Sequence, residues 1–234
     1  MTDANTRTEI ATMSQSIFDY FNAFMFSDDL SILAKLLTRH TLMNMIHDVP
    51  GDIVECGVYK GAGLASFLKM KRIIFPGASR KKVIGFDYFD SDRLVGSLSG
   101  VDREQMAALF ERGFKHMPGA QQIVENVLTS AGFIPGRDFE LVSGDIAVSA
   151  PAFLSERPGF RCSLLYLDVD VEGPTHAALE AFWERIPVGG IVAFDEYGHH
   201  QWSEANAVDR FFVGKALRPL SLDTPNGPTA YVRK

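Results

Sequence analysis

The stretch Gly51-Asp-Ile-Val-Glu-Cys-Gly-Val-Tyr-Lys-Gly-Ala-Gly63 governs how the rest of the chain is interpreted. Its short apolar run, Ile53-Val54, predicts a β-strand, and the acidic Glu55 stands at the end of that strand. A glycine-rich turn follows and leads into a segment with helical periodicity. A strand, a glycine turn and a helix in this order bring backbone amides close to a ligand, because glycine has no side chain to block the approach. The stretch therefore predicts a ligand-binding turn.

The composition predicts one globular domain over residues 1–234. Of the 234 residues, 46% are hydrophobic and 22% are charged, which suits a substantial core. The net charge of −6 argues against a nucleic-acid partner, because there is no basic surplus to neutralise phosphates. The N-terminal residues lack the layout of a signal peptide, and no apolar run approaches the ~20 residues that span a bilayer. We therefore expect a cytoplasmic protein without a membrane partner, in which Cys56 and Cys162 are reduced core thiols.

Strand and helix patterns alternate after the first strand. Apolar runs predict further strands at residues 82–86, 139–143, 163–167 and 191–194. Near-continuous apolar strands separated by helices indicate a parallel sheet covered on both faces. The last two strands, at residues 220–223 and 229–233, are too close for a parallel crossover and predict an antiparallel hairpin. A mostly parallel seven-stranded α/β sheet with a reversed C-terminal strand is typical of the class I S-adenosylmethionine-dependent methyltransferase (Rossmann-like) fold.

Residues 1–47 predict an N-terminal helical extension to this sheet. Two apolar stripes run through it, and the first contains Phe18, Phe21 and Phe24. A structural role for these helices, in the core or between subunits, is favoured over a direct chemical one. The aromatic stripe suggests a subunit contact, so we expect a homo-oligomer.

The connection over residues 88–137 is unusually long. Its first part, residues 91–102, is rich in Ser, Gly and Asp and predicts a loop, whereas residues 104–110 and 121–131 have helical patterns. Connections of this length are commonly functional, so we interpret it as a lid over the binding site. A surface insertion without function is the alternative.

The spacing of the glycines bears on the ligand. They stand at positions 57, 61 and 63, in a G-x-x-x-G-x-G order, whereas the dinucleotide fingerprint is G-x-G-x-x-G. Glu55 strengthens the case against a phosphate, because a carboxylate at the strand tip repels an anion and attracts the ammonium of a methionine moiety. The turn therefore favours S-adenosylmethionine over a nicotinamide cofactor.

Acidic residues after the next two strands suit the remainder of that cofactor. Asp87 follows the second strand, where ribose hydroxyls could be bound. Gly144-Asp145 follows the third, where the glycine would let the adenine approach the backbone and the carboxylate would accept from its amino group. A helix or turn cap is the alternative role for either carboxylate, and for Asp145 it is as well supported.

Four carboxylates cluster at the ends of the fourth and fifth predicted strands: Asp168, Asp170, Asp195 and Glu196. Neighbouring parallel strands lie ~4.8 Å apart, so carboxylates at both ends can converge on one cation. A hard cation with oxygen ligands would relieve their repulsion, and Mg²⁺ fits best. Helix capping is the alternative. His199 and His200 follow, but without a Cys/His ligand spacing we interpret them as surface or substrate-side residues.

Five segments together resemble the macrocin O-methyltransferase family. They are Asp52-Ile-Val-Glu-Cys-Gly-Val-Tyr-Lys-Gly61, Gly85-Phe-Asp-Tyr-Phe89, Leu165-Tyr-Leu-Asp-Val-Asp170, Val188-Gly-Gly190 and Phe194-Asp-Glu-Tyr-Gly198. The resemblance implies a Mg²⁺- and S-adenosylmethionine-dependent enzyme that methylates a sugar hydroxyl, on a nucleotide-linked deoxysugar or a glycosylated natural product such as an antibiotic. It implies metal ligands at Asp168, Asp195 and Glu196. It also implies cofactor contacts, which with those argued above are Glu55, Gly57, Val58, Tyr59, Gly61, Asp87, Gly144, Asp145 and Asp168.

The chain departs from the family pattern in three places. Leu64 stands where the family usually has a serine, so one polar contact to the cofactor is either lost or moved to another residue. Asp195-Glu196 replaces the usual Asp-Asp pair, so direct ligation by Glu196 is in question. Val171-Glu-Gly-Pro-Thr175 replaces a Tyr-Glu-Ser-Thr segment, so substrate contacts from that turn differ.

The expected chemistry is in-line methyl transfer to a metal-activated hydroxyl. We assign Asp168 a double role, as metal ligand and as the base or its orienter. A metal-free mechanism would instead use His199 or His200 as base. Two other classes of function are considered, a non-catalytic cofactor-binding module and a nicotinamide-dependent oxidoreductase. The glycine order and the C-terminal hairpin disfavour the oxidoreductase.

Overall fold

The computed structural model describes residues 2–75 and 81–234, with side chains described from residue 14 onward in these ranges. The helices are α1 (Thr2–Met25), α2 (Ser31–Met45), α3 (Ala62–Ile74), α4 (Ser91–Ser97), α5 (Gly100–Leu109), α6 (Ala120–Ser130), α7 (Ile146–Ser155), α8 (Glu172–Phe182) and α9 (Glu204–Phe212). The strands are β1 (Asp52–Cys56), β2 (Val83–Asp87), β3 (Phe139–Ser143), β4 (Cys162–Leu167), β5 (Ile191–Phe194), β6 (Leu220–Ser221) and β7 (Ala230–Arg233).

In the described part of the chain, the strands form one seven-stranded sheet in the order β3-β2-β1-β4-β5-β7-β6. The first five strands are parallel, and β7 runs antiparallel to both β5 and β6. The predicted hairpin and the predicted reversed strand are confirmed. The sheet therefore has the α/β arrangement expected of the class I methyltransferase fold.

The sheet is buried on both faces, which explains why its central strands are almost continuously apolar. Alternate residues of a strand point to opposite faces. Val54 and Cys56 belong to a buried cluster with α7, α8 and α9, whereas Ile53 and Tyr166 belong to another with α2, α3 and α6. Glu55 is two residues after Ile53, so the same alternation directs its side chain toward α2 and α3.

The two thiols, Cys56 and Cys162, are free and fully buried, as predicted. Burial raises the pKa of both thiols above the usual range, so both stay protonated at neutral pH. They therefore behave as small apolar core residues.

The N-terminal region contains two helices separated at residues 26–30. Asp29 caps α2, because its Oδ1 accepts hydrogen bonds from the backbone amides of Ser31 and Ile32 at 2.7 and 3.3 Å. The aromatic stripe of α1 is largely exposed, with Phe18 and Phe21 at 59% and 55% of their full accessibility. Within the described ranges, no helix combines the length and apolar character that crossing a bilayer requires.

The segment between β2 and β3 departs from the sequence prediction in one respect. Residues 91–102 were expected to form a loop, but most of them are helical, in α4 and the start of α5. The reason is the Asp90 carboxylate, which caps α4 by accepting from the amides of Asp92 and Arg93, both at 3.1 Å. The Ser, Gly and Asp residues that suggested a loop are also the residues that start helices. The two predicted helices that follow are confirmed as α5 and α6.

Candidate active site

The strand register brings the predicted site residues to one edge of the sheet. Cys56 pairs with Leu167 and Leu167 pairs with Phe194 across β1, β4 and β5. The residues that follow these strands, Gly57, Asp168 and Asp195, therefore emerge at the same level. This edge lies at the carboxyl ends of the parallel strands, where ligands usually bind in open parallel sheets.

A pocket of about 750 Å³, counted up to its open mouth, lies above this edge. Its floor includes five predicted cofactor residues, which are Gly57, Tyr59, Asp87, Gly144 and Asp168. Asp170 lines it as well. Its roof comes from the segment between β2 and β3, through Leu94, Met106, Leu109, Phe110, Phe114 and His116. The pocket thus has polar groups on its floor and an apolar cover, as small-molecule sites commonly do.

Gly57 permits the closest backbone approach in the site. Its φ is +92°, and a Cβ at this position would overlap the carbonyl oxygen of Asp168. The neighbouring strands hold it there, because its amide donates to Phe86 O and the Asp168 amide donates to Cys56 O, both at 2.8 Å. Only glycine fits between these two strand ends.

Asp87 organises the glycine turn. Its Oδ2 accepts hydrogen bonds from the backbone amides of Val58 and Tyr59, at 2.7 and 2.8 Å. Its Oδ1 accepts from the amide of Phe89 at 2.7 Å and lies 3.4 Å from Nε2 of His116. The carboxylate predicted to bind a ribose therefore also fixes the turn above β1. The Val58 side chain is buried beneath that turn.

Glu55 is buried with a partner from the N-terminal region. Nη2 of Arg39 in α2 lies 3.6 Å from its Oε1 and 3.7 Å from Oδ2 of Asp168. Burial raises the pKa of Glu55 to about 8 despite the opposing charge of Arg39. A Cβ on Gly63 would overlap the Glu55 carboxylate, so this glycine makes room for the acid. Glu55 lies beneath the site and outside the pocket lining.

Lys35, one turn before Arg39 on α2, reaches the carboxylate cluster directly. Its Nζ lies 3.0 Å from Oδ2 of Asp168 and 2.8 Å from Oδ2 of Asp195. Burial alone would lower the pKa of Lys35, but the charges of these two carboxylates outweigh it and hold the pKa above its usual value. The ammonium is therefore charged at neutral pH.

Asp195 has partners on both oxygens. The Tyr166 hydroxyl donates to Oδ1, and Lys35 contacts Oδ2. The carboxylate is 2% exposed and packs against Gly227, where a Cβ would overlap it. Burial, followed by the charge of Asp168, raises the pKa of Asp195 to about 7.

The remaining acids of the site are held toward their neutral forms. Burial raises the pKa of Asp170, Glu196 and Glu204, and the neighbouring carboxylates add to the effect. Glu196 Oε2 lies 3.8 Å from Nδ1 of His199, and its amide donates to Glu204. In residues 2–75 and 81–234, no group of three or more His, Cys, Asp or Glu side chains is arranged around a metal position.

Other predicted residues lie at the margins. Asp145 caps α7 by accepting from the amide of Ala147 at 2.9 Å, and it faces a separate groove beyond β3. Gly61, with φ +85°, starts α3 and packs against Val124. Leu64, where the family pattern has a serine, is fully buried in the core. The rings of His199 and His200 stack with centroids 5.1 Å apart, and both residues are exposed.

Lys35 and Arg39 were not among the site residues predicted from the sequence. Lys35 is 133 and 160 residues away in sequence from Asp168 and Asp195, the two carboxylates that it contacts. A signal was present in α2 itself. Arg39 precedes Leu42 and Met43 by three and four residues, so it lies on the helix face that carries the apolar stripe. A cation on a buried face needs a buried acid.

The chain is similar to known proteins in sequence and in fold. The sequence signature of the macrocin-O-methyltransferase (TylF) family matches residues 34–220. No curated protein sequence is significantly similar. Two structures of CalS11, described as a calicheamicin methyltransferase and as a TDP-rhamnose 3'-O-methyltransferase, are 27% identical, with TM-scores of 0.70 and 0.63. In both comparisons the alignment covers 85% of this chain and 77% of CalS11.

More distant structures share the fold. The O-methyltransferase NovP is 19% identical, with a TM-score of 0.69 over 85% of this chain and 78% of its own. TomG of Streptomyces achromogenes, solved with S-adenosylmethionine, is 12% identical, with a TM-score of 0.53 over 93% of this chain and 94% of its own. At these low sequence identities, the similarity shows a shared fold and nothing more specific.

Proposed function

Because the chain belongs to the macrocin O-methyltransferase family and is an O-methyltransferase, we propose that it transfers the methyl group of S-adenosylmethionine to a sugar hydroxyl. One observation carries this proposal. A single pocket joins the glycine turn at Gly57 to the carboxylates Asp168 and Asp170. A methyl donor seated on the turn and a hydroxyl held by the carboxylates would meet in it, and positioning is the main contribution an enzyme makes to such a displacement.

The pocket suits the donor part by part. Asp87 and Gly144 lie at the ends of β2 and β3, where the ribose and adenine would be placed. The aromatic rings of Tyr59 and His116 pack edge to face at 5.7 Å beside the same space. Asp168 lines the same pocket, and a carboxylate there would favour a cationic sulfonium. We extend the proposal to the segment at residues 88–137, which would act as the lid that excludes water.

A sugar acceptor is supported by CalS11, which is more similar in sequence to this chain than NovP or TomG. CalS11 is described as a TDP-rhamnose 3'-O-methyltransferase. By analogy, we propose a nucleotide-linked deoxysugar or a glycosylated natural product as the acceptor. The segment Val171–Thr175, which differs from the family pattern, follows the pocket residue Asp170 and contributes Pro174 to the pocket lining. It would adapt the site to this chain's own acceptor.

The proposal includes Mg²⁺ held by Asp168, Asp195 and Glu196. Carboxylate oxygens are the donors this ion prefers. Lys35 Nζ acts as a stand-in cation, because Asp168 and Asp195 each place one oxygen within 3.0 Å of it and so converge on one position. A bound Mg²⁺ would lower the pKa of an acceptor hydroxyl and orient it.

The chain's own residues supply the remaining steps. Asp168 faces the pocket and would accept the hydroxyl proton at a carboxylate oxygen, with Asp170 as the adjacent acid. Arg39 and Lys35 hold the Asp168 side chain through Oδ2, which keeps it oriented toward the acceptor. Tyr166 fixes Asp195 in the same way. The apolar roof around Met106 and Phe110 would keep water from the sulfonium.

The substitution Asp168→Asn tests the function. We expect methyl transfer from labelled S-adenosylmethionine to a panel of deoxysugar nucleotides to fall at least about 100-fold, the usual contribution of a positioned base. Calorimetry should show nearly unchanged affinity for S-adenosylhomocysteine. Asp19→Asn, on the exposed surface of α1, is the matched control and should be fully active. Full activity of Asp168→Asn would exclude the assignment.

Three further measurements separate the alternatives. A cofactor-binding module would give calorimetric heat without any methylated product. An NAD-dependent oxidoreductase would be stabilised thermally by NAD(H), whereas we expect stabilisation by S-adenosylhomocysteine only. EDTA should inhibit and Mg²⁺ should restore activity; indifference to EDTA would contradict the magnesium proposal while leaving methyl transfer intact.

A further inference from the structure

Lys35 places its ammonium where two proposed metal ligands converge. Its Nζ is 3.0 Å from Asp168 and 2.8 Å from Asp195, and both contacts use the Oδ2 atoms. The other Asp195 oxygen is taken by Tyr166. The ammonium therefore uses the same oxygens that a divalent cation would need.

The two cations exclude one another at this position. Mg²⁺ binds carboxylate oxygens at about 2.0–2.1 Å. An ion bound to Oδ2 of both Asp168 and Asp195 would lie next to the ammonium, whose contacts to these atoms are 3.0 and 2.8 Å. Two positive charges this close repel each other strongly in a partly buried site. A metal can enter only if the Lys35 ammonium leaves.

The surroundings of Lys35 allow it to leave without unfolding α2. Arg39, four residues later, is anchored by a hydrogen bond to the Ser66 hydroxyl at 3.2 Å and by the rings of Phe67 and Tyr166. Lys35 has no such packing requirement, because its side chain is 26% exposed and ends a flexible four-carbon stem. The helix can stay in place while the ammonium moves to solvent.

We propose that the Lys35 ammonium competes with the divalent cation for Asp168 and Asp195, and so sets how tightly this enzyme binds its metal. The N-terminal helix α2 then takes part in metal loading. In the metal-free protein the ammonium relieves the repulsion between the two acids, and in the loaded protein the metal replaces it. The inference rests on the proposed metal site, but not on the identity of the sugar acceptor.

Calorimetric titration with Mg²⁺ tests the competition. We expect Lys35→Met, which keeps the stem and removes the charge, to bind Mg²⁺ about tenfold or more tightly than the unmodified protein, because a competing cation is gone. Lys35→Arg keeps the charge and should show no tightening. Lys69→Met removes the same charge from the exposed face of α3 and should also show none. Adding Asp168→Asn to Lys35→Met should abolish the gain.

A second measurement uses the unmodified protein and so does not depend on the variant folding. Lysine acetylation is quantified by peptide mass spectrometry with and without saturating Mg²⁺. The modification of Lys35 should increase with Mg²⁺, whereas that of Lys69 should not change. Equal or lower modification of Lys35, or equal, weaker or undetectable binding of Mg²⁺ by Lys35→Met, would overturn the proposal. Methyl transfer by the unmodified protein is assayed in parallel, so that loss of the proposed function is recognised separately.

Discussion

At the residue scale, the site depends on backbone approaches that only glycine allows. Gly57 and Gly132 both have positive φ, at +92° and +82°. They differ in their surroundings. A Cβ on Gly57 would overlap the carbonyl of Asp168, whereas a Cβ on Gly132 would meet nothing within 4 Å. Alanine substitutions at these two glycines therefore separate the cost of backbone strain from the cost of steric overlap between two strand ends.

We predict that Gly57→Ala destabilises the protein well beyond the strain of a left-handed alanine. Gly132→Ala should cost about 1–2 kcal/mol of unfolding free energy, which is the strain alone. Gly57→Ala adds the overlap with Asp168 and should also weaken binding of S-adenosylhomocysteine. Urea denaturation gives the stabilities and calorimetry the affinity. Equal stabilities for the two variants would show that the strands yield at no cost.

At the element scale, the helices between β2 and β3 are tied together at their ends. The Ser91 hydroxyl, at the start of α4, accepts a hydrogen bond from the amide of His116 at 2.8 Å and lies 3.1 Å from its Nδ1. Ser91 is buried, and His116 lines the pocket beside Tyr59. One serine thus links the start of α4 to the pocket residue His116.

We predict that Ser91→Ala loosens this roof. It leaves the His116 amide without its partner, at a cost of about 1–3 kcal/mol. Hydrogen exchange over residues 91–116 should accelerate, and the KM for S-adenosylmethionine should rise more than kcat falls. Ser99→Ala is the control, because the Ser99 side chain makes no capping bond to α5. Unchanged exchange in Ser91→Ala would show that the roof is held elsewhere.

The helical roof also shows where sequence reasoning reached its limit. Strands were predictable because burial on both faces demands continuous apolar runs, as in β4. The loop prediction for residues 91–102 was wrong because Ser, Gly and Asp residues start helices as well as form loops, and Asp90 caps α4. The partners of Glu55 were not predictable from nearby residues, since Arg39 reaches it through the packing of α2 on α3. Contacts of that kind depend on three-dimensional packing.

At the scale of the whole molecule, the N-terminal helices have an apolar face without cover in the described chain. Ile17, Phe18 and Phe21 are 65%, 59% and 55% exposed on α1. Exposed apolar patches of this kind commonly mark protein interfaces. The sequence predicted a subunit contact at the same stripe, and a second copy of this chain remains our proposed partner.

We predict that the purified protein is a dimer or larger in solution and that the double substitution Phe18→Ser, Phe21→Ser yields monomers. Removing two aromatic anchors from an interface generally costs several kcal/mol of association. Light scattering after size exclusion gives the masses. Val148→Ser with Val213→Ser changes two exposed apolar residues elsewhere and should leave the mass unaltered. A monomeric unmodified protein would rule out the interface.

The turn between β6 and β7 has a consequence for anyone who alters this chain. By composition, Thr224-Pro-Asn-Gly-Pro228 is an ordinary surface connection of the kind that accepts insertions, tags and graft peptides. Gly227, however, forms the wall against which the Asp195 carboxylate rests. We expect that lengthening this turn would displace the Asp195 carboxylate in the candidate active site. Epitope tags and fusion joints are better placed in another loop.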